Sequence, residues 1–275
     1  MTRLALIDAD IVAYQAASKY QNTFDFGDGD PVVDLDMEGA QQFFSETVDY
    51  YINQSFADDY LLCFSDDFQN WRKSVLPTYK SNRTGERPEL LYPIKSWAFD
   101  QFKSVRKPTL EADDVMGILS TDPSETRETV IISLDKDMKT IPGLFLRPRG
   151  DFIIEDISEE QADRWHLMQT LAGDVTDGYQ GCHGIGMGKA AYYLEGRLRP
   201  VAYYKEITRG PRKGEQDLKW RDEPATDPWD TVVRLYEKHG FTEKDALIQA
   251  RVARILRFDE YVNGRPKLWN PKVYT

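Results

Sequence analysis

Acidic residues recur along this 275-residue chain at positions where carboxylates could act together. Asp8 closes the apolar run RLALID, Asp66 closes YLLCFSD, and Asp135 and Asp137 end TVIISLDKD. Glu111, Asp113 and Asp114 come together in LEADDVMG, and Asp174 and Asp177 stand three apart in LAGDVTDGYQG. Carboxylates that converge repel one another, and the usual remedies are raised pKa values or a bound divalent cation. Hard oxygen donors without a His or Cys among them suit Mg²⁺ or Mn²⁺ rather than zinc. Two such ions roughly 4 Å apart can activate water and stabilise the leaving oxygen of a phosphodiester, with no side-chain nucleophile needed. A plainer reading stands beside this one: a single Asp after a strand is explained by caps and turns, and first-turn acids such as those in EADD serve the helix dipole. In a helix, Glu111 and Asp114 share one side while Asp113 is rotated about 200 degrees from Glu111.

Two further stretches suit a phosphate backbone. GCHGIGMGKAAYYLEG places Gly184, Gly186 and Gly188 around a tight turn ahead of Lys189 and a helix-compatible run. Glycines admit close approach of a backbone, and amides at a helix start favour anions. The pattern fits a helix-hairpin-helix with helices over 158–173 and 188–195; a plain loop and a solvated Lys189 are the alternative. Residues 70–108 interleave cations with aromatics, and YKSNR offers Tyr79 for stacking on a base beside Lys80 and Arg83, which share a face if that segment is helical. The competing reading makes Trp71, Trp97, Phe99 and Phe102 core residues and turns the cations to solvent.

The elements that must position these residues follow from periodicity. Apolar runs at 3–8, 60–66 and 129–139 read as strands, with LFLRP (144–148) as a fourth. IVAYQAASKY is helical with Asp8 or Asp10 as its cap, residues 37–56 form a long amphipathic helix, and 109–120 starts another. Ser158 and Gln161 are spaced as a capping pair for 158–174. Residues 23–36 read as a turn-rich excursion, and TRGPRKGEQDLKWRD (208–222) as a mobile basic loop. Strands alternating with helices predict an α/β fold with a mostly parallel sheet, in which ligands gather at the carboxyl ends of strands. Three of the acidic sites fall there.

Composition narrows the class. With 46 acidic against 35 basic residues the net charge is −11, which excludes a uniformly basic nucleic-acid-binding surface, so cations must be concentrated locally. The two cysteines, Cys63 and Cys182, match no metal ribbon or redox pair, and predict a reduced, cytoplasmic protein. Asp8 and Asp10 interrupt the N-terminal apolar stretch where a secretory leader needs continuity, and no run of about 18 apolar residues offers a membrane span.

Taken together, LIDAD, FSDDFQNWRK, YKSNR, LEADDVMG, VIISLDKDMKTIP, DRWHLMQTLAGDVTDGYQG, GIGMGKA and ARILRFDEY come in the order found in the 5′ nuclease (flap endonuclease) superfamily. The chain most resembles the replication 5′→3′ exonucleases of short-tailed bacteriophages, over nearly its whole length, with a looser match in the last 80 residues. The resemblance implies a PIN-like domain over 1–150 with a helical arch at about 70–108, and a helical part over 151–275 that holds a helix-hairpin-helix at about 158–195. It implies one divalent ion held by Asp8, Asp66, Glu111 and Asp113 and a second by Asp113, Asp135, Asp137 and Asp174, with Asp114 and Asp177 close by. Lys80 and Arg83 would contact the scissile phosphate, and Gly184, Gly186 and Lys189 the duplex backbone, where the family often holds a monovalent cation such as K⁺. The implied activity is 5′→3′ hydrolysis of duplex DNA by a monomer in the cytoplasm of an infected bacterium, with 5′ flaps, the RNA strand of hybrids and replication proteins as further partners to test. A PIN-type endoribonuclease and a non-catalytic structure-specific DNA-binding protein are the rival readings.

Overall fold

A computed structural model describes residues 2–24, 27 and 32–272. Strand β1 (Arg3–Asp8) leads directly into helix α1 (Ala9–Tyr20), because Asp8 turns its carboxylate back to accept from the Ile11 amide and caps the helix. Strands β2 (Gln21–Phe24) and β3 (Val32–Leu35) pair antiparallel; they flank an expected excursion whose residues 25–26 and 28–31 lie outside the described residues. Helix α2 (Met37–Ser55) precedes β4 (Asp59–Phe64), and a single helical turn, α3 (Arg72–Val75), follows. Next come α4 (Leu91–Gln101), β5 (Ser104–Arg106), α5 (Ala112–Ser120), β6 (Glu128–Ile132), a 3-10 turn (Lys136–Thr140), β7 (Gly143–Leu146) and β8 (Ile154–Ile157). The rest includes α6 (Glu159–Ala172), α7 (Met187–Glu195), a ribbon of β9 (Leu198–Glu206) and β10 (Gln216–Pro224), and helices α8 (Pro228–Lys238) and α9 (Glu243–Ala253).

The chain is a mixed α/β protein with a six-stranded sheet in the order β5-β4-β1-β6-β7-β8, parallel except for β8. Its central strands are buried on both faces, as parallel strands covered by helices must be, so β1 and β6 read as continuous apolar runs. Successive strands run outward from β1 in one direction through β4 and β5 and in the other through β6 and β7, which makes the carboxyl end of β1 the topological switch point. Asp8 stands at that end.

Two compact units interleave in sequence: residues 1–71, 84–162 and 255–267 make the first, and residues 72–83, 163–254 and 268–275 the second. The first holds the sheet, with Phe44, Leu62, Phe64, Ile94 and Ile132 in its core. The second is cored by Leu171, Ile185, Ala190, Val232, Leu235 and Tyr236, contributed by α6, the turn before α7, α7 and α8.

Expectations for 70–108 divide. The aromatics follow the plain reading: Trp97 and Phe102 meet Phe44, and Phe99 meets Phe64, with ring centroids 5.6–6.0 Å apart. Helix α4 is a core element through Leu91, Ile94 and Ala98, and residues 77–82 form turns rather than a helix. Pro77 explains the latter, since it lacks an amide and disfavours helical backbone at Leu76. The basic 208–222 segment is not a loop throughout, because Gln216–Pro224 pairs in register with Leu198–Glu206. The two strands of the ribbon favour this: Val201, Tyr203 and Tyr204 on β9 and Trp220 on β10 are strand formers on either side of a Gly-Pro turn. Among the described residues no helix is long and apolar enough to cross a membrane.

Candidate nuclease site

In the first unit, parallel strands bring acids from distant parts of the sequence to one sheet edge. Register places Asp8 beside Cys63, and β6 flanks β1 on its other side. Asp8 is 5% exposed; its Oδ2 accepts from Ser133 Oγ at 2.8 Å, and Ser133 Oγ accepts in turn from the Asp135 amide at 3.1 Å. Burial, then the neighbouring charges of Asp10 and Asp135, push the Asp8 carboxyl up to about 7, against the smaller opposing pull of its two hydrogen bonds. Buried Cys63 reports the same crowding: its thiol is raised first by burial and then by Asp8, Asp10 and Asp113. Acids from β1, from the loop after β6 and from α5 therefore act on one locality.

The flanking acids are fixed by backbone amides. Asp66 accepts from Thr109 N at 2.8 Å and Phe68 N at 2.9 Å; burial alone would raise it, but these amides, with Gln69 N and Arg106, hold it below the usual carboxylate range. Asp135 Oδ1 accepts from the Asp137 amide at 2.8 Å and starts the 3-10 turn. Glu111 caps α5 in a reciprocal box with Asp114, and Asp113 lies in the first helical turn. Asp114 is fully buried and accepts from Trp71 Nε1, Glu111 N and Leu256 N at 2.9, 3.3 and 3.2 Å, which makes it a frame residue of this unit.

Two acids in this neighbourhood are not among the expected metal ligands: Asp10, expected at most as a cap, and Asp67. Both meet the Lys95 ammonium, at 2.8 and 2.5 Å. Burial would lower the lysine pKa, but Asp10 and Asp67 raise it above its ordinary value. Nothing in sequence spacing links positions 10, 67 and 95.

Among the described residues, no three His, Cys, Asp or Glu side chains are grouped as a ready-made metal cage. Asp8, Asp66 and Asp135 instead accept from nearby backbone amides, those of Ile11, Thr109 and Asp137. The donor chemistry nevertheless fits a hard divalent ion: several carboxylates from neighbouring strand ends, and a buried acid that a cation would relieve.

In the second unit, Asp174 and Tyr179 close a tight turn through paired backbone bonds of 2.8 and 3.1 Å, and Asp174 Oδ1 accepts from Thr176 N and Asp177 N. Asp177 gathers the cationic residues: Tyr79 Oη donates to it at 2.9 Å, Lys80 Nζ is 3.5 Å away, and Arg83 forms a close ion pair with its other oxygen. Lys80 takes left-handed backbone with φ of 55°, so Lys80 and Arg83 converge through a turn and not along a helix face. Tyr79, expected to stack on a base, is 2% exposed and lies among Tyr179, Val252 and Ala253, which leaves no ring face for a ligand. Arg72 is likewise no surface cation; it donates to the carbonyls of Val252 and Arg254.

The glycine turn joins α6 to α7 as the helix-hairpin-helix pattern predicts, and Ser158 and Gln161 cap reciprocally at 2.8 and 3.2 Å. Gly184, Gly186 and Gly188 have open space where a side chain would be, and Gly186 is the N-cap of α7 without a side-chain acceptor. Lys189 Nζ donates to Gly184 O at 2.9 Å. Gly173 and Gly181, which the sequence reading passed over, have opposite character: a β-carbon on either would lie 2.3 Å from backbone of the facing segment.

Comparison with known proteins shows the family and the fold. The family model of the 5′-3′ exonuclease N-terminal, resolvase-like domain matches residues 3–142. The exonuclease of Escherichia phage T7 is 40% identical over 223 residues, covering 77% of this chain and 73% of that protein. The exodeoxyribonuclease of Enterobacteria phage T3 is 38% identical over 224 residues, with the same coverage of 77% and 73%. Among solved structures, a T5 protein co-crystallised with metal ions has a TM-score of 0.60 at 13% identity, covering 91% of this chain and 88% of that one. A bacteriophage T5 flap endonuclease in complex with DNA and metal ions has a TM-score of 0.52 at 13% identity, over 71% of this chain and 75% of that one. At that identity the likeness is one of fold.

Proposed function

The chain belongs to the 5′-3′ exonuclease family and is a hydrolytic 5′→3′ nuclease, and from that premise we propose that it degrades duplex DNA from the 5′ end with two divalent ions, Mg²⁺ or Mn²⁺. The observation that carries the metal requirement is buried Asp8, raised to about 7 at the switch point of a parallel sheet with Asp10 and Asp135 beside it. Asp8, Asp66, Glu111 and Asp113 would hold one ion in the first unit, and Asp113, Asp135 and Asp137 would serve the other. When bound, such ions supply the charge that lets water attack a phosphodiester near neutral pH and that steadies the departing 3′-oxygen.

The chain's own groups do the rest. Lys80 and Arg83 offset charge on the substrate phosphate, exchanging their carboxylate partner Asp177 for it. The open glycines at 184, 186 and 188 and the first amides of α7 receive the duplex backbone, with Lys189 beside them. A monovalent cation at this turn, 5′ flaps and the RNA strand of hybrids belong to the same proposal.

The test uses duplex DNA labelled at the 5′ end. Short labelled products are expected with Mg²⁺ and none with EDTA, and Asp135→Asn should remove cleavage while DNA binding persists. Undiminished turnover in Asp135→Asn would take Asp135 out of the reaction. Internal cuts in single-stranded RNA, with duplex DNA untouched, would favour an endoribonuclease. DNA of unchanged length under every condition would leave a binding protein.

A further inference from the structure

Asp10 lies two residues beyond Asp8, and Asp67 directly follows Asp66. By chemistry and position each has the same claim to a divalent ion as its neighbour. What separates them is a buried cation. Lys95 comes from α4, a helix anchored in the sheet core through Leu91, Ile94 and Ala98, and its side chain is 9% exposed. Its Nζ is 2.8 Å from Asp10 Oδ1 and 2.5 Å from Asp67 Oδ1. The second oxygen of Asp10 accepts from the Ser65 amide at 3.0 Å, and Ser65 Oγ accepts from Ala112 N at 2.9 Å, just after Glu111.

We propose that Lys95 is a positioning residue that keeps Asp10 and Asp67 out of the metal centre and so limits the number of divalent ions the first unit takes up. The inference rests on the proposed metal centre at Asp8 and Asp66. An ammonium is a compact point charge with three donors, able to stand between two carboxylates where a small cation otherwise would. Because α4 is anchored, that charge has a fixed place. It joins the first turn of α1 to the loop after β4, and the strands that precede them, β1 and β4, are already paired at Asp8 and Cys63. Asp8 and Asp66 are the members of the two acid pairs that Lys95 does not hold. Without the lysine, Asp10 and Asp67 become a pair of adjacent, poorly hydrated carboxylates that attract a divalent ion of their own.

The test counts Mn²⁺ bound per full-length chain, by the loss of the free-ion electron paramagnetic resonance signal, with folding followed by circular dichroism. Lys95→Met should bind one Mn²⁺ more than wild type. The extra ion should disappear when Asp10→Asn and Asp67→Asn are added, and Lys95→Arg should keep the wild-type count. An unchanged count in folded Lys95→Met overturns the inference. Should Lys95→Met fail to fold, Asp10→Asn and Asp67→Asn alone decide: a wild-type count supports the inference, and a lower count overturns it by making those acids ligands. A wild-type chain that binds no Mn²⁺ would instead overturn the proposed metal centre itself.

Discussion

Asp8 shows how one residue ties the fold to the chemistry, since the same carboxylate caps α1, accepts from Ser133 and is crowded by Asp10 and Asp135. The folded state favours the protonated form, so this group's contribution to stability is complete below its unfolded pKa, near 4, and is lost as pH rises through about 7. In EDTA, Asp8→Asn should therefore melt above wild type at pH 8, and the difference should fade towards pH 4–5. Added Mg²⁺ should raise the wild-type midpoint at pH 8 by more than that of Asp8→Asn, which keeps only the second proposed ion; the reverse order in thermal melts would contradict the assignment. Asp177 gives a second residue-level expectation. It holds Lys80 and Arg83 where a phosphate is proposed to go, in partly exposed pairs of a kind worth roughly 0.5–1 kcal/mol. Asp177→Asn should thus tighten binding of duplex DNA in EDTA by about twofold to fivefold in a fluorescence-anisotropy titration, and weaker binding would mean that the carboxylate orders the cations and does not compete for them.

Among the elements, the segment from α6 to α7 separates glycines that serve the fold from glycines proposed to meet a ligand. Gly173 and Gly181 have φ of 69° and 64° and face each other's backbone with no room for a β-carbon. Ala at either should cost at least about 2 kcal/mol from left-handed strain and overlap combined, read as a lower midpoint in urea. Gly186 has ordinary backbone (φ −93°) and open space, so Gly186→Ala should fold as wild type yet bind DNA more weakly; a loss of stability there would remove the distinction. Sequence spacing revealed the turn and its open glycines but not the 173–181 contact, because two glycines eight apart carry no sign of which backbone they will face. The same limit explains other differences. Strand-end acids were legible because apolar runs ending in Asp identify both the strand and its carboxyl end. The Asp10–Lys95–Asp67 cluster was not, since it depends on how α4 packs across the sheet. Tyr79 looked like a stacking platform because its neighbours are cationic, yet an apolar pocket of Tyr179, Val252 and Ala253, far along the chain, claims its ring. In the 208–222 segment a strand signal was present in the alternation of Leu218 and Trp220 with charged residues, and the charge at its tip obscured it.

For the molecule as a whole, a net charge of −11 confines where a polyanion can be held. The proposed phosphate contacts in the second unit are few: Lys80 and Arg83, both now committed to Asp177, and Lys189 beside the open glycines. Backbone amides bind phosphate without carrying net charge, so they add affinity without adding to counterion release. Each neutralised phosphate contributes about −0.9 to the slope of log affinity against log salt. Three cations therefore predict a slope of about −3 for duplex DNA measured in Ca²⁺, well below the steepness of a protein with a broad basic face. Lys189→Ala should make it shallower by about 1 and weaken all duplex sequences alike. A slope nearer −7 that Lys189→Ala leaves unchanged would move the main DNA contact elsewhere. The ribbon of β9 and β10 would then be the place to look, since Lys205, Arg209, Arg212 and Lys213 are all exposed around its tip.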